Sequence, residues 1–121
     1  MAKRILIVED TKTIVMVEKM MLAGQGYDIK TAENGLKGLE MAMMLEPDLI
    51  LLDVMMPEMD GIEMCRRLRE DERTAEVPVI MVTTRGEPEQ VEEAFLAGCT
   101  DYVTKPIDKF ELIEKVEKYI A

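Results

Sequence analysis

The sequence predicts an α/β fold, an open and doubly wound sheet of five parallel strands built from five successive βα units. Three observations carry this reading. Short apolar runs recur along the 121 residues: Ile5-Leu-Ile-Val8, Leu49-Ile-Leu-Leu52 and Val79-Ile-Met-Val82. Continuous apolar runs of this length suit strands buried on both faces. The segments between them are long enough for crossover helices, which return the chain to a parallel strand in the right-handed sense. Finally, each run ends in residues able to do ionic or hydrogen-bonding chemistry: Glu9-Asp10, Asp53, Thr83, and Lys105 after Tyr102-Val-Thr104. Five units are too few to close a barrel. An open sheet of this kind holds its ligand at the carboxyl edge of the strands.

The first strand is expected over residues 4–9 and a helix over 13–23, with Ile14, Val17 and Met21 on its apolar face. Gly24 and Gly26 end that helix. A short strand follows over 28–32. Asn34-Gly35 opens a second helix over 35–45, which Pro47 closes. The third strand covers 48–53 and the third helix 61–70. Pro78 leads into a strand over 79–83. Pro88 suits the first turn of a fourth helix, with Val91, Ala94 and Phe95 inward and Gly98 as its stop. The fifth strand covers 101–104. Asp108 can cap a last helix whose buried stripe is Ile113, Val116 and Ile120. The chain is expected to be one domain, 1–121.

Composition excludes several functions. Lys and Arg number 15 against 25 Asp and Glu, a net charge of −10. Phosphate backbones and anionic membranes attract basic surfaces, so neither nucleic acid nor a membrane is expected as a direct partner. The run after Met1-Ala-Lys-Arg is too short for a leader or a span, and a cytoplasmic location is expected. Cys65 and Cys99 fall in no metal-ligand spacing. Histidine is absent. That removes every Ser-His-Asp or Cys-His mechanism, and any role as a phosphohistidine donor.

Glu9, Asp10 and Asp53 would meet at the sheet edge. Three carboxylates stay ionised together only beside a cation. Lys105 is one, and a hard divalent ion is the other. Mg²⁺ prefers one or two carboxylates, a carbonyl and several waters. Asp10 and Asp53 are the expected direct ligands, with Glu9 acting through water. Asp53, at the end of an apolar strand, can attack phosphorus and form an aspartyl phosphate. Such transfer needs mostly positioning and charge neutralisation, which Mg²⁺, Lys105 and the Thr83 hydroxyl can supply. Lys105-Pro106 is either a cis bond or a plain loop proline.

These residues, with Leu52-Asp53-Val-Met-Met-Pro57-Glu-Met-Asp60-Gly61 and Tyr102-Val-Thr-Lys105-Pro106, resemble the receiver domain of bacterial two-component response regulators. The match runs along essentially the whole chain. The resemblance implies the flavodoxin-like strand order 2-1-3-4-5, which the patterns alone leave open. It also implies roles. Asp53 would be the phosphoacceptor, and Glu9 and Asp10 the acidic pair that holds Mg²⁺, with the Met55 carbonyl as a further ligand. Thr83 would be the switch hydroxyl, Lys105 the phosphoryl-binding lysine and Tyr102 the aromatic switch. The implied phosphoryl donor is a sensor histidine kinase or histidine phosphotransferase. The implied output is contact with a downstream protein through helix four, strand five and helix five. The protein would be a monomer or a weak, phosphorylation-dependent dimer, and a phosphoacceptor regulator rather than an enzyme.

Some positions depart from the family. Thr84 stands where alanine is frequent. Met55 and Arg85 occupy the positions that flank the attacking water, and neither would orient it, so a phosphorylated state of minutes or longer is expected. Of the 12 methionines, six (Met16, Met20, Met21, Met41, Met43 and Met44) lie in the first two helices. They read as core filler, with any exposed on the first helix available to a kinase's helical bundle. The short length suggests a stand-alone receiver; a receiver segment of a larger regulator or hybrid kinase is the alternative. A haloacid-dehalogenase-like phosphohydrolase would need an acid where Met55 stands. A flavin carrier would set its phosphate against Glu9 and Asp10, and a phosphorylation-independent binding module would have no need of the acidic set.

Overall fold

The computed structural model describes residues 2–120. Strands β1 (Arg4–Val8), β2 (Asp28–Ala32), β3 (Leu49–Asp53), β4 (Val79–Thr83) and β5 (Asp101–Thr104) alternate with helices α1 (Lys12–Leu22), α2 (Gly35–Leu45), α3 (Gly61–Glu70), α4 (Pro88–Leu96) and α5 (Lys109–Ile120). The strands form one parallel sheet in the order β2-β1-β3-β4-β5. The predicted α/β class and the implied strand order are both present.

The doubly wound arrangement follows from the apolar runs. Every residue of β3 and β4 is buried. One face of the sheet offers Leu6, Ile50, Leu52 and Met81 to Ala42, Met64, Leu68 and Ala94 of α2, α3 and α4. The other offers Ile5, Ile7, Leu51 and Ile80 to Leu22, Leu112 and Val116 of α1 and α5. Each Leu, Ile, Val or Met among them contributes about 2 kcal/mol by leaving water. The starts of α2, α3 and α5 are fixed by side-chain caps. Asn34 accepts from the Lys37 N–H, Asp60 from the Glu63 N–H, and Asp108 from the N–H groups of Phe110 and Glu111. Each cap is worth about 1 kcal/mol.

Three helix faces differ from expectation. Val17 is 42% exposed, whereas Glu18 is only 2% exposed. The inward line of α1 runs Ile14, Glu18, Leu22, a spacing of four, and Val17 lies off it. Phe95 is also exposed, at 46%, and the buried residue of α4 is Ala94. On α5 the buried stripe is Leu112, Val116 and Ile120, with Ile113 half-buried. Met16, Met20 and Met44 are exposed and so fill no core.

Candidate functional site

Strand register assembles the site. β1 and β3 pair Val8 with Leu52, so Glu9 and Asp53 leave the sheet side by side. The Glu9 N–H donates to the Ala32 carbonyl at 3.1 Å, which holds its backbone against β2. β3 and β4 pair Asp53 with Val82, and β4 and β5 pair Thr83 with Thr104. The Lys105 N–H then donates to the Thr83 carbonyl at 2.9 Å. The carboxyl ends of four strands thereby meet at one place, as the sequence predicts.

Carboxylate oxygens of Glu9, Asp10 and Asp53 all lie within 4.8 Å of one another. Lys105 Nζ donates to Asp53 Oδ2 at 3.1 Å, and the Met55 N–H donates to Asp53 Oδ1 at 3.1 Å. Glu9 and Asp53 are buried and Asp10 is exposed, so the cluster opens to solvent on the Asp10 side. Both Glu9 oxygens are buried without a hydrogen-bond donor. Burial first, then the neighbouring Asp53, pushes the Glu9 carboxyl up to about 9. A buried carboxylate with no donor beside two others suits a hard cation. The residues present therefore fit Mg²⁺.

Thr83 is 1% exposed, and its hydroxyl donates to the Val103 carbonyl at 3.3 Å. The ring of Tyr102 is half-buried, perpendicular to the Phe95 ring at a centroid distance of 6.0 Å, with Lys115 Nζ 5.0 Å from its centre. Lys115 also donates to the Tyr102 carbonyl and to Asp101. A groove of about 390 Å³ lined by Thr83, Val91 and Tyr102 runs between them. The Lys105–Pro106 peptide bond is cis. Thr84 is exposed, its N–H donating to the Gln90 side chain at 2.9 Å.

Sequence reasoning took Gly61 only as a helix start and a motif residue, and passed over one further residue. A Cβ at Gly61 would meet the Asp53 carbonyl oxygen at 2.2 Å, so only glycine lets α3 start against the Asp53 backbone. The residue passed over is Glu18, a carboxylate hidden in the apolar line of α1. A spacing count from Ile14 to Leu22 would have found it.

A family model for the response regulator receiver domain matches residues 5–117. The chain belongs to this family. Receiver domains are phosphoacceptor regulators, generally not enzymes, and receive phosphoryl groups from histidine kinases. This receiver domain is 44% identical over 113 residues to the DNA-binding dual master transcriptional regulator RpaA of Synechocystis, across 93% of the chain and 47% of the relative. It is 41% identical to the response regulator PleD of Caulobacter vibrioides, across 96% of the chain and 26% of the relative. The chain thus spans half or less of these curated relatives.

Among solved structures, the receiver domain is similar to chemotaxis protein CheY4 of Vibrio cholerae, with a TM-score of 0.90 and 28% identity over 98% of the chain and 99% of that protein. It is likewise similar to the receiver domain of a Pseudomonas aeruginosa sensor histidine kinase, with a TM-score of 0.92 and 30% identity over 99% and 98%. That structure has a magnesium ion coordinated in its active site cleft. In the receiver domain described here, no helix among the described residues is long and apolar enough to cross a membrane.

Proposed function

We propose that this receiver domain accepts a phosphoryl group on Asp53 from a sensor histidine kinase or histidine phosphotransferase. A changed protein-binding surface formed by α4, β5 and α5 then passes the signal on. The carrying observation is Asp53 itself: a buried carboxylate between the Met55 N–H and Lys105 Nζ, both at 3.1 Å, within the three-carboxylate cluster. Glu9, Asp10, Asp53 and the Met55 carbonyl would hold Mg²⁺, which supplies positive charge to the phosphoryl oxygens.

A carboxylate oxygen of Asp53 forms the bond to phosphorus as the bond to the donor imidazole nitrogen breaks. The electron pair of that broken bond stays on the imidazole. The Met55 N–H holds the carboxylate in place. Lys105 then neutralises phosphoryl charge rather than carboxylate charge. Thr83, released from the Val103 carbonyl, donates its hydroxyl to a phosphoryl oxygen. Its departure lets Tyr102 turn into the groove beside Val91. Two states separated by a few kcal/mol are enough for phosphorylation to redistribute them.

The site works in the cytoplasm, where kinase phosphoryl donors are found, and the partners are proteins rather than nucleic acid or membrane. Coverage of half or less of the relatives favours a second reading, a receiver segment of a longer regulator. The acceptor chemistry is the same in both. Incubation with acetyl phosphate and Mg²⁺, followed by intact mass, tests it. The wild type gains one phosphoryl adduct and Asp53→Asn gains none. No adduct on the wild type, or the same adduct on the variant, refutes the reading.

A further inference from the structure

Glu18 is a carboxylate that the chemistry above does not use. It sits on the inward line of α1 at 2% exposure, between Ile14 and Leu22. An apolar side chain there would be buried without penalty, whereas a carboxyl group in such a place needs a partner. Among the described residues Glu18 belongs to no ion pair. It lines a cleft of about 270 Å³ with Ile14 and Met21 on one side and Lys105 and Ile107 on the other. Lys105 crosses from this cleft to Asp53, where its ammonium rests at 3.1 Å. Burial, then the charge of Asp53, pushes the Glu18 carboxyl up to about 8, and Lys105 is the cation that pulls it back.

Resting on the phosphoacceptor reading, we propose that Glu18 is a positioning residue for Lys105: the second carboxylate to which the ammonium moves when a divalent cation occupies Asp53. A cation at Asp53 displaces the ammonium that neutralises it in the metal-free protein. Of the residues lining the cleft of about 270 Å³, Glu18 carries the carboxylate that can receive it. Glu18 and Lys105 line the same cleft, so the ammonium exchanges one carboxylate for another without leaving it. Metal entry and lysine departure are then one exchange, and Lys105 stays near enough to return to an incoming phosphoryl group.

The test is a double-mutant cycle on Mg²⁺ affinity, measured by calorimetry on the unphosphorylated protein. Glu18→Gln keeps the shape and removes the group that must ionise to receive the ammonium, and it is expected to weaken Mg²⁺ roughly tenfold, the loss typical of a residue that supports a metal site from behind. In a Lys105→Met background the same substitution is expected to change nothing. An unchanged affinity in Glu18→Gln, or an equal loss in both backgrounds, overturns the proposal. Should Glu18→Gln fail to fold, Glu18→Leu carries the same measurement. A wild type that binds no Mg²⁺ refutes the metal reading instead. The Lys105 side-chain NMR signals of the metal-free protein then decide Glu18 by itself. They move on Glu18→Gln if the two groups interact, and an unmoved spectrum overturns the inference.

Discussion

Lys105 and Asp53, 52 residues apart in sequence, are joined by a 3.1 Å ion pair whose carboxylate is 4% exposed. The pair sets a competition, because a metal ion and the ammonium both want the same carboxylate. Removing the lysine relieves it. Lys105→Met is therefore expected to bind Mg²⁺ more tightly than the wild type, by calorimetry. Without Mg²⁺ the same variant is expected to lose about 2 kcal/mol of stability, the order of a hydrogen bond to a charged group, and Mg²⁺ is expected to restore it. A variant with weaker Mg²⁺ binding and unchanged stability would contradict this competition.

Gly61 is expected to tolerate no side chain. The contact of 2.2 Å is with backbone, which cannot swing aside as a flexible side chain would. Gly61→Ala must push the start of α3 away from Asp53 and strain the bond from the Gly61 N–H to the Val54 carbonyl. A loss of about 2 kcal/mol is expected in urea unfolding. The acetyl phosphate reaction should slow in the fraction that remains folded.

Stability should fall with rising pH in the absence of metal. The carboxyls of Glu9 and Glu18 are held at about 9 and about 8, against an ordinary 4.5. Between these limits the native state keeps protons that the unfolded chain has released. Their contribution is whole below the ordinary value and is lost as pH rises through 8 and 9. The urea midpoint in a chelating buffer should be lower at about pH 9 than at about pH 6, where both carboxyls are still protonated. Mg²⁺, which binds the ionised form of Glu9, should narrow the gap, and Glu9→Gln should make the profile shallower, leaving the part due to Glu18.

Most of the site was legible because strand ends are a one-dimensional feature. An apolar run followed by Asp53, Thr83 or Lys105 shows its place in a parallel sheet before any contact is known. What stayed hidden depends on helix phase and close approach. Val17 and Glu18 differ by one step around α1, and an apolar count favours the valine although the packing favours the carboxylate. Phe95 read as core because it is large and apolar, yet it stands perpendicular to the Tyr102 ring at the rim. Gly61 read as a helix start, and nothing in the sequence reveals that the Asp53 carbonyl occupies the space of its missing side chain.

The phosphorylated state is expected to last minutes or longer. Met55 is 60% exposed beside Asp53, and Arg85 is exposed after Thr84. A thioether is a weak acceptor and a guanidinium has no acceptor at all, so neither holds a water for attack on phosphorus. Met55→Glu places an acceptor there and should shorten the lifetime. Intact mass followed over time after removal of acetyl phosphate reads both. Decay of the wild type within seconds at neutral pH with Mg²⁺ would refute the expectation.

Thr83 should separate acceptance from output. Its hydroxyl bonds the Val103 carbonyl at 3.3 Å in the structure, so the resting protein already gives it a backbone partner on β5. Thr83→Val keeps the branched shape of the side chain and removes that hydrogen bond. Uptake of the phosphoryl group depends on Asp53, Lys105 and the metal and should persist, with a rate within about tenfold of wild type, the scale of one modest hydrogen bond. The Tyr102 ring, held between the Phe95 ring and the ammonium of Lys115, then loses its cue to move. Ring resonances of Tyr102 should shift on phosphorylation of the wild type and stay in place in Thr83→Val. If they shift equally in both, the ring answers to something other than the Thr83 hydroxyl.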